Sequence, residues 1–242
     1  MRTVCIAFAV GAMLLIGPVS RVSAQAATDA YYPFLIARHL EAAGDQQGAQ
    51  QQLERAVAAD PRSAEVRAEL AGFFLRRENW DGAERVAREA LAIDDGSSEA
   101  HRVLGMLYAV RSEDRGRGVT PAQVATNTRQ AIEHLEKVID NPTGLTDVNV
   151  QYTLGRLYLR AGQADKAVVS LSRVVSENPG SVQARISLAQ AFVGARRLDD
   201  AISTLVEIVD DEPRVASTLA QFQEQAGRPA DAAESYTKAI AV

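Results

Sequence analysis

The stretch Val148–Ser181, VNVQYTLGRLYLRAGQADKAVVSLSRVVSENPGS, decides the fold. Leu154, Gly155 and Tyr158 fall at i, i+1 and i+4 and form the apolar stripe of a first helix. Ala161-Gly162-Gln163 interrupts that stripe, and Gly162 suits the left-handed residue that closes a helix. Ala167, Leu171, Val174 and Val175 then make the stripe of a second helix. Asn178-Pro179-Gly180 ends it, because proline lacks the N–H a helix interior needs and biases the preceding residue out of the helical region. The segment predicts two helices joined by a tight turn.

The same arrangement recurs outward in both directions. Ala37, Ala71 and Gly105 are spaced by 34 residues, as are Gly155 and Ala189. Each is followed, after twelve residues or after an insertion, by a second small residue: Ala49, Ala83, Ala131, Ala167 and Ala201. A period of this length predicts stacked helix pairs, an architecture in which each unit buries its apolar face on its neighbours. The units run over residues 30–63, 64–97, 98–147, 148–181 and 182–213, with an incomplete sixth over 214–242. Small residues are expected where the two helices of a pair cross, since larger side chains would push the axes beyond the usual distance of about 8–10 Å.

This pattern resembles the tetratricopeptide repeat family, in which a Leu-Gly/Ala pair at repeat positions 7 and 8 precedes an aromatic at 11. Alanine follows at 20, a bulky residue at 24, alanine at 27 and proline at 32. In the quoted unit the matching residues are Leu154, Gly155, Tyr158, Ala167, Leu171, Val174 and Pro179. The tryptophan favoured at position 4 is replaced throughout by Pro33, Arg67, His101, Gln151 and Arg185, and Trp80 stands instead at position 17 of the second unit. The resemblance implies an all-α, right-handed superhelix, an α-solenoid of about five and a half repeats. It also implies a concave groove lined by first-helix positions 2, 5, 9, 12 and 13. Carried onto this chain, the groove candidates are Tyr31, Phe34, Arg38, Arg76, Arg102, Met106, Tyr152, Arg156, Arg160 and Gln190.

Arginine and aromatic side chains are enriched at binding hot spots. One reading of the groove is therefore a site for a peptide bearing carboxylates, with Arg102, Arg156 and Arg160 as charge partners. The other is a solvated face whose arginines pair with neighbours such as Glu99. The lysine and asparagine pattern of the family's chaperone-tail clamps is not present, which argues against that ligand.

Arg2, the apolar run Val4–Ile16, the Gly17-Pro18 break and the small residues Val22-Ser23-Ala24 read as a secretory signal peptide over residues 1–24, cleaved after Ala24 or Ala26. The run is too short to span a bilayer, which needs roughly twenty apolar residues. Cleavage removes Cys5, the single cysteine, so the mature chain has no disulfide and no thiolate site. It also removes Arg2 and Arg21, taking Lys+Arg from 26 to 24 against 31 Asp+Glu and the net charge from −5 to −7. An acidic balance argues against nucleic acid as partner, because phosphate contacts need a basic surface. A cysteine-free exported chain fits a bacterial periplasm or extracellular space.

Two interruptions stand out. Gly105 to Gly155 spans 50 residues instead of 34, so the third unit carries an insertion over residues 111–126. Ser112–Val119 reads as a loop, and Thr120-Pro121 as the N-cap and first residue of a lengthened second helix running to about Asp140. The insertion is either tolerated loop drift or a partner-contacting loop. At the other irregularity, the sequence shows no polar capping helix after the sixth unit, so that face is expected to pack on another copy or to continue in a longer array.

Chemistry-bearing motifs are missing. His39, His101 and His134 lie in different units without ligand spacing, and there is no HExxH, CxxC, GxSxG, Walker loop or GxGxxG. Arg115-Gly116-Arg117-Gly118 is too short and mixed for a phosphate loop, and Asp199-Asp200 is accounted for by a helix N-terminus. The expectation is a non-enzymatic envelope scaffold, with no metal and no cofactor, that binds a protein or peptide partner. A self-associating array, a fragment of a longer repeat protein and an accessory subunit of an envelope enzyme are the alternatives.

Overall fold

Seven helices start behind an Asp, Asn, Ser or Thr whose side chain accepts a first-turn backbone N–H. The computed structural model describes residues 19–240 except Arg115, Arg117 and residues 141–146, and side chains from residue 29 onward. Of the signal peptide expected over residues 1–24, residues 1–18 lie outside the described residues. Among the described residues there are twelve α-helices and no strand. The chain divides into two compact units, one ending at Pro61 and one beginning at Arg62.

The first unit packs α1 (Val19–Ala42) against α2 (Gln46–Ala59). Helix α1 starts well before residue 30, where the repeat was expected to begin, and it carries Pro33 inside it. Ala37 on α1 and Ala49, Leu53 and Ala56 on α2 are fully or almost fully buried.

The second unit holds five helix pairs: α3 (Ala64–Arg76) with α4 (Trp80–Ile93), α5 (Ser98–Glu113) with α6 (Pro121–Ile139), α7 (Val148–Arg160) with α8 (Ala164–Glu177), α9 (Val182–Gly194) with α10 (Leu198–Val206), and α11 (Ala216–Gln225) with α12 (Pro229–Ile240). Successive first helices α3, α5, α7 and α9 contact one another, and each second helix also contacts the first helix of the next pair. Side-chain caps set the starts: Ser63, Asn79, Ser97, Asp147 and Ser181 each accept from a backbone N–H two or three residues on.

The turn inside each pair other than α5–α6 is a Schellman motif. At Gly162, which has φ +71°, Gln163 N–H donates to the Tyr158 carbonyl (2.8 Å) and Gly162 N–H to the Leu159 carbonyl (3.1 Å). The equivalent position is Gly44 in the first pair but Glu78 (φ 57°) and Arg196 (φ 60°) in the second and fifth. The turn geometry is thus retained even where the residue is not glycine.

The crossing of the quoted pair differs in one respect from expectation. A Cβ placed on Gly155 would lie 2.7 Å from Leu171 Cδ2, so the residue that forbids a larger side chain is at position 24 rather than Ala167 at position 20. Gly105 meets Leu135 in the same way. Small-to-small pairing alone does not set the helix separation; a fully buried leucine does.

The insertion in the third unit is mostly helical. The expected loop start at Ser112 is corrected: Ser112 and Glu113 continue α5, Ser112 is fully buried and its hydroxyl donates to the Ala109 carbonyl (2.7 Å). Helix α6 begins at Pro121 as expected, under a complete capping box of Thr120 and Gln123, and runs 19 residues against 14 for α4 and α8. Asp199 and Asp200 do stand in the first turn of α10, but they also pair with Arg228 (2.6 Å) and Arg197 (2.7 Å), so a helix dipole is not their whole account.

Candidate functional site

Positions 9, 12 and 13 of a first helix lie one turn apart and turn toward the same side as their counterparts on neighbouring first helices. In the second unit this brings Leu75 of α3, Met106, Ala109 and Val110 of α5, and Arg156 of α7 around one cavity of about 290 Å³. Trp80, Glu113 and Thr153 complete the wall. The floor is apolar, and Thr153 Oγ1 donates to Met106 Sδ at 3.7 Å. At the rim Arg156 pairs with Glu113 (2.7 Å) and lies over the Tyr152 ring, 5.8 Å from its centroid. Val110, 48% exposed, opens the cavity to solvent.

The other sequence-derived candidates are distributed differently. Arg102 is held by Glu99, with Nε to Oε2 at 2.6 Å, and that hydrogen bond raises its pKa further against the opposing effect of burial. Next to it, a Cβ on Gly72 would lie 3.3 Å from both Arg76 Nη1 and Glu99 Oε1, so glycine leaves room for those two groups to approach. Arg160 turns toward α5, donating to Ser112 Oγ (2.5 Å), with Glu113 3.4 Å away. Gln190 is exposed on α9. Tyr31, Phe34 and Arg38 belong to the first unit, where Tyr31 is exposed and Arg38 lies 5.9 Å from the Phe34 centroid. The three arginines singled out as carboxylate partners are therefore already engaged by carboxylates of the chain. Trp80, Glu113 and Thr153 were not anticipated; Trp80 had the signal of being the single tryptophan.

Beside this face the repeat junctions carry polar nodes. Tyr108 donates to Glu84 (2.9 Å), which also binds Arg111 (2.6 Å) and Arg88 (2.6 Å). One pair further on, Tyr158 donates to Glu136 (2.8 Å), which also binds Lys166 (2.8 Å). Burial works against ionising both glutamates, but the bonds from arginine, lysine and tyrosine outweigh it and hold their pKa values below the usual range.

Two of the three histidines meet, contrary to their separation in sequence. His101 Nδ1 lies 2.8 Å from His134 Nδ1, and His101 Nε2 lies 3.0 Å from the Asp95 carbonyl. A carbonyl only accepts, so His101 donates from Nε2; when both rings are neutral its Nδ1 accepts the Nδ1–H of His134. Tyr108 stacks on the His134 ring at 5.8 Å. Two histidines do not make a metal centre, and among the described residues no group of three or more His, Cys, Asp or Glu is placed to hold an ion. Among the described residues no helix is long and apolar enough to cross a membrane.

Stacked helix pairs closed by Schellman turns, with a cavity between successive first helices, define a helix-pair repeat protein of the solenoid class. The sequence profile of the tetratricopeptide repeat matches residues 40–107 and 158–222, more than half of the chain, and the protein belongs to that family. Tetratricopeptide repeats are protein-interaction modules, so the coarse function is protein binding. No curated protein sequence matches the chain. Similar solved structures include MamA (22% identity, 78% of this chain and 94% of that one, TM-score 0.58). They also include a thermophilic TPR protein of Thermus thermophilus, TTC0263 (22%, 88% and 100%, 0.51). PilW, a type IV pilus biogenesis factor, matches at 18%, 88% and 92%, with a TM-score of 0.60. At these identities the likeness concerns the fold.

Proposed function

We propose that this chain is a non-enzymatic scaffold of the bacterial cell envelope, exported through the signal peptide over residues 1–24, that holds a protein partner at the cavity between α3, α5 and α7. The observation that carries the reading is the convergence of Leu75, Met106, Val110 and Arg156 on one open apolar cavity of about 290 Å³. That volume accepts one large apolar side chain of a peptide, and an adjacent carboxylate of the peptide meets Arg156 by exchange with Glu113. Of the three arginines only Arg156 borders this cavity, so the acidic-ligand reading narrows from a row of arginines to this one. The periplasmic or extracellular placement rests on the sequence, and the similar structure of a pilus biogenesis factor is in keeping with it.

Affinity purification of the native protein, compared with the Met106→Asp and Arg156→Glu variants, tests the site. Loss of one set of co-purifying proteins from both variants supports it; an unchanged set contradicts it. Fractionation with N-terminal sequencing tests export separately, the expected mature start being Gln25 or Ala27. A homodimer dispersed by Ile240→Asp, with co-purification unchanged in the cavity variants, would favour the self-associating array instead; Ile240 is 85% exposed on α12.

A further inference from the structure

The insertion builds a second cavity, separate from the one above. Because α6 begins at Pro121, its opening turns carry a stripe of Pro121, Val124, Ala125, Thr128 and Ile132, spaced at i, i+3, i+4, i+7 and i+11. The sibling second helix α4 starts at the place of Thr128, so it lacks the turns that carry Pro121, Val124 and Ala125. Ala161 and Gln163, at the α7–α8 turn, face the stripe, and Val119 closes one end, enclosing about 630 Å³. The stripe is about 16 Å long at 1.5 Å per residue, the length of about three helical turns.

Its charge is asymmetric. Arg129 lies on the rim, exposed, with no hydrogen bond or ion pair among the described residues. Arg160, also on the rim, is held by Ser112 Oγ. The one carboxylate at the rim, Asp114, accepts from Gly116 N–H (2.7 Å). An apolar trough of helical length with an uncompensated cation on its edge is complementary to the apolar face of an amphipathic helix carrying a carboxylate beside that face.

We propose that the insertion in the third repeat forms a docking groove for an acidic amphipathic helix of a protein partner. The helix lays its apolar side chains on Val124, Thr128 and Ile132 and pairs a Glu or Asp with Arg129. The groove lies on α6 and the α7–α8 turn, and its lining shares no residue with that of the α3–α5–α7 cavity.

The test uses the full mature chain and a defined probe: a fluorescein-labelled 18-residue synthetic helix with leucines at i, i+4, i+7 and i+11 and glutamates flanking them, and a twin in which lysines replace the glutamates. Anisotropy is read for wild type, Ala125→Glu and Arg129→Glu, with circular dichroism melts to check folding. Both sites are at the exposed surface, so neither variant is expected to change the melt. The expected result is binding of the acidic helix, weakened tenfold or more by either substitution, with the lysine twin gaining on Arg129→Glu. Amide shifts should be confined to residues 119–132 and 160–164, and Met106→Asp should leave this binding intact, which separates the groove from the proposed function. Absence of binding, equal binding of the two helices, or variants within twofold of wild type would overturn the proposal. So would saturable binding of dodecanoate at these amides without binding of the acidic helix, since that would make the cavity a site for a small amphiphile.

Discussion

Tyr158 reaches from α7 to α6 and donates its hydroxyl proton to Glu136 at 2.8 Å. Burial and the neighbouring glutamate both raise the pKa of that hydroxyl, so it remains a donor well above neutral pH. Tyr108 makes the same reach to Glu84, so two successive repeat junctions are closed by a tyrosine–carboxylate bond with cations around it. Tyr158→Phe keeps the ring and removes the bond. Glu136 retains Lys166 and partial exposure, so the expected loss is about 1 kcal/mol in urea unfolding. A loss near zero would mean that water replaces the hydroxyl without cost.

Acid should weaken the fold in two stages. Burial, and then His101, lower the pKa of His134; Arg88 and Lys137 act in the same direction, and Glu133 opposes them. A folded pKa below the unfolded one means that the unfolded chain binds more protons as pH falls below about 6.5, so stability declines there. Doubly protonated rings would also set two N–H groups against each other across 2.8 Å. Glu84 and Glu136, whose pKa values are lowered, contribute stability above about pH 4.3 that is lost as pH falls through their folded values. Urea midpoints measured from pH 8 to pH 3 should fall in both windows, and His134→Asn should flatten the upper one.

Arg196 is exposed and holds φ at 60°, a backbone that costs a residue with a Cβ about 1 kcal/mol. Gly162 and Gly44 occupy the same place in their turns. Arg196→Gly is expected to stabilise the protein by about 0.5–1 kcal/mol, partly offset by the greater freedom of glycine when unfolded. A fall in the thermal midpoint would show that the side chain makes a contact the turn depends on.

Ala201 on α10 is completely buried in one cluster with Ala189, Leu205 and Leu219. Ala201→Glu overpacks that crossing and buries an unpaired carboxylate, at a cost of at least about 2 kcal/mol. An unchanged denaturant midpoint would contradict the packing of α9 on α10.

Helix pairs were legible in the sequence because their signals are local: a cap such as Thr120, a stripe such as Leu154 to Tyr158, a stop such as Pro179. The helical start at Pro121 was legible for the same reason. Contacts between units were not. His101 and His134 are 33 residues apart and meet only because α5 and α6 pack side by side. The pairing of Glu113 with Arg156 likewise depends on where α7 sits beside α5, which no spacing encodes. For the candidate site, repeat register found Met106 and Arg156 but missed Trp80 and Glu113, which lie outside the first-helix rows. Left-handed turns at Glu78 and Arg196 were hidden because the signal for such turns is glycine.

Site-specific photo-crosslinking in the native host tests whether a partner sits at the α3–α5–α7 cavity. A benzophenone amino acid is placed at Val110, at the mouth of the α3–α5–α7 cavity, and as a control at Val169, 68% exposed on α8. A discrete crosslinked protein is expected from position 110, reduced by Met106→Asp and not obtained from position 169. The same products from both positions, or a product at position 110 that survives Met106→Asp in full, would contradict it.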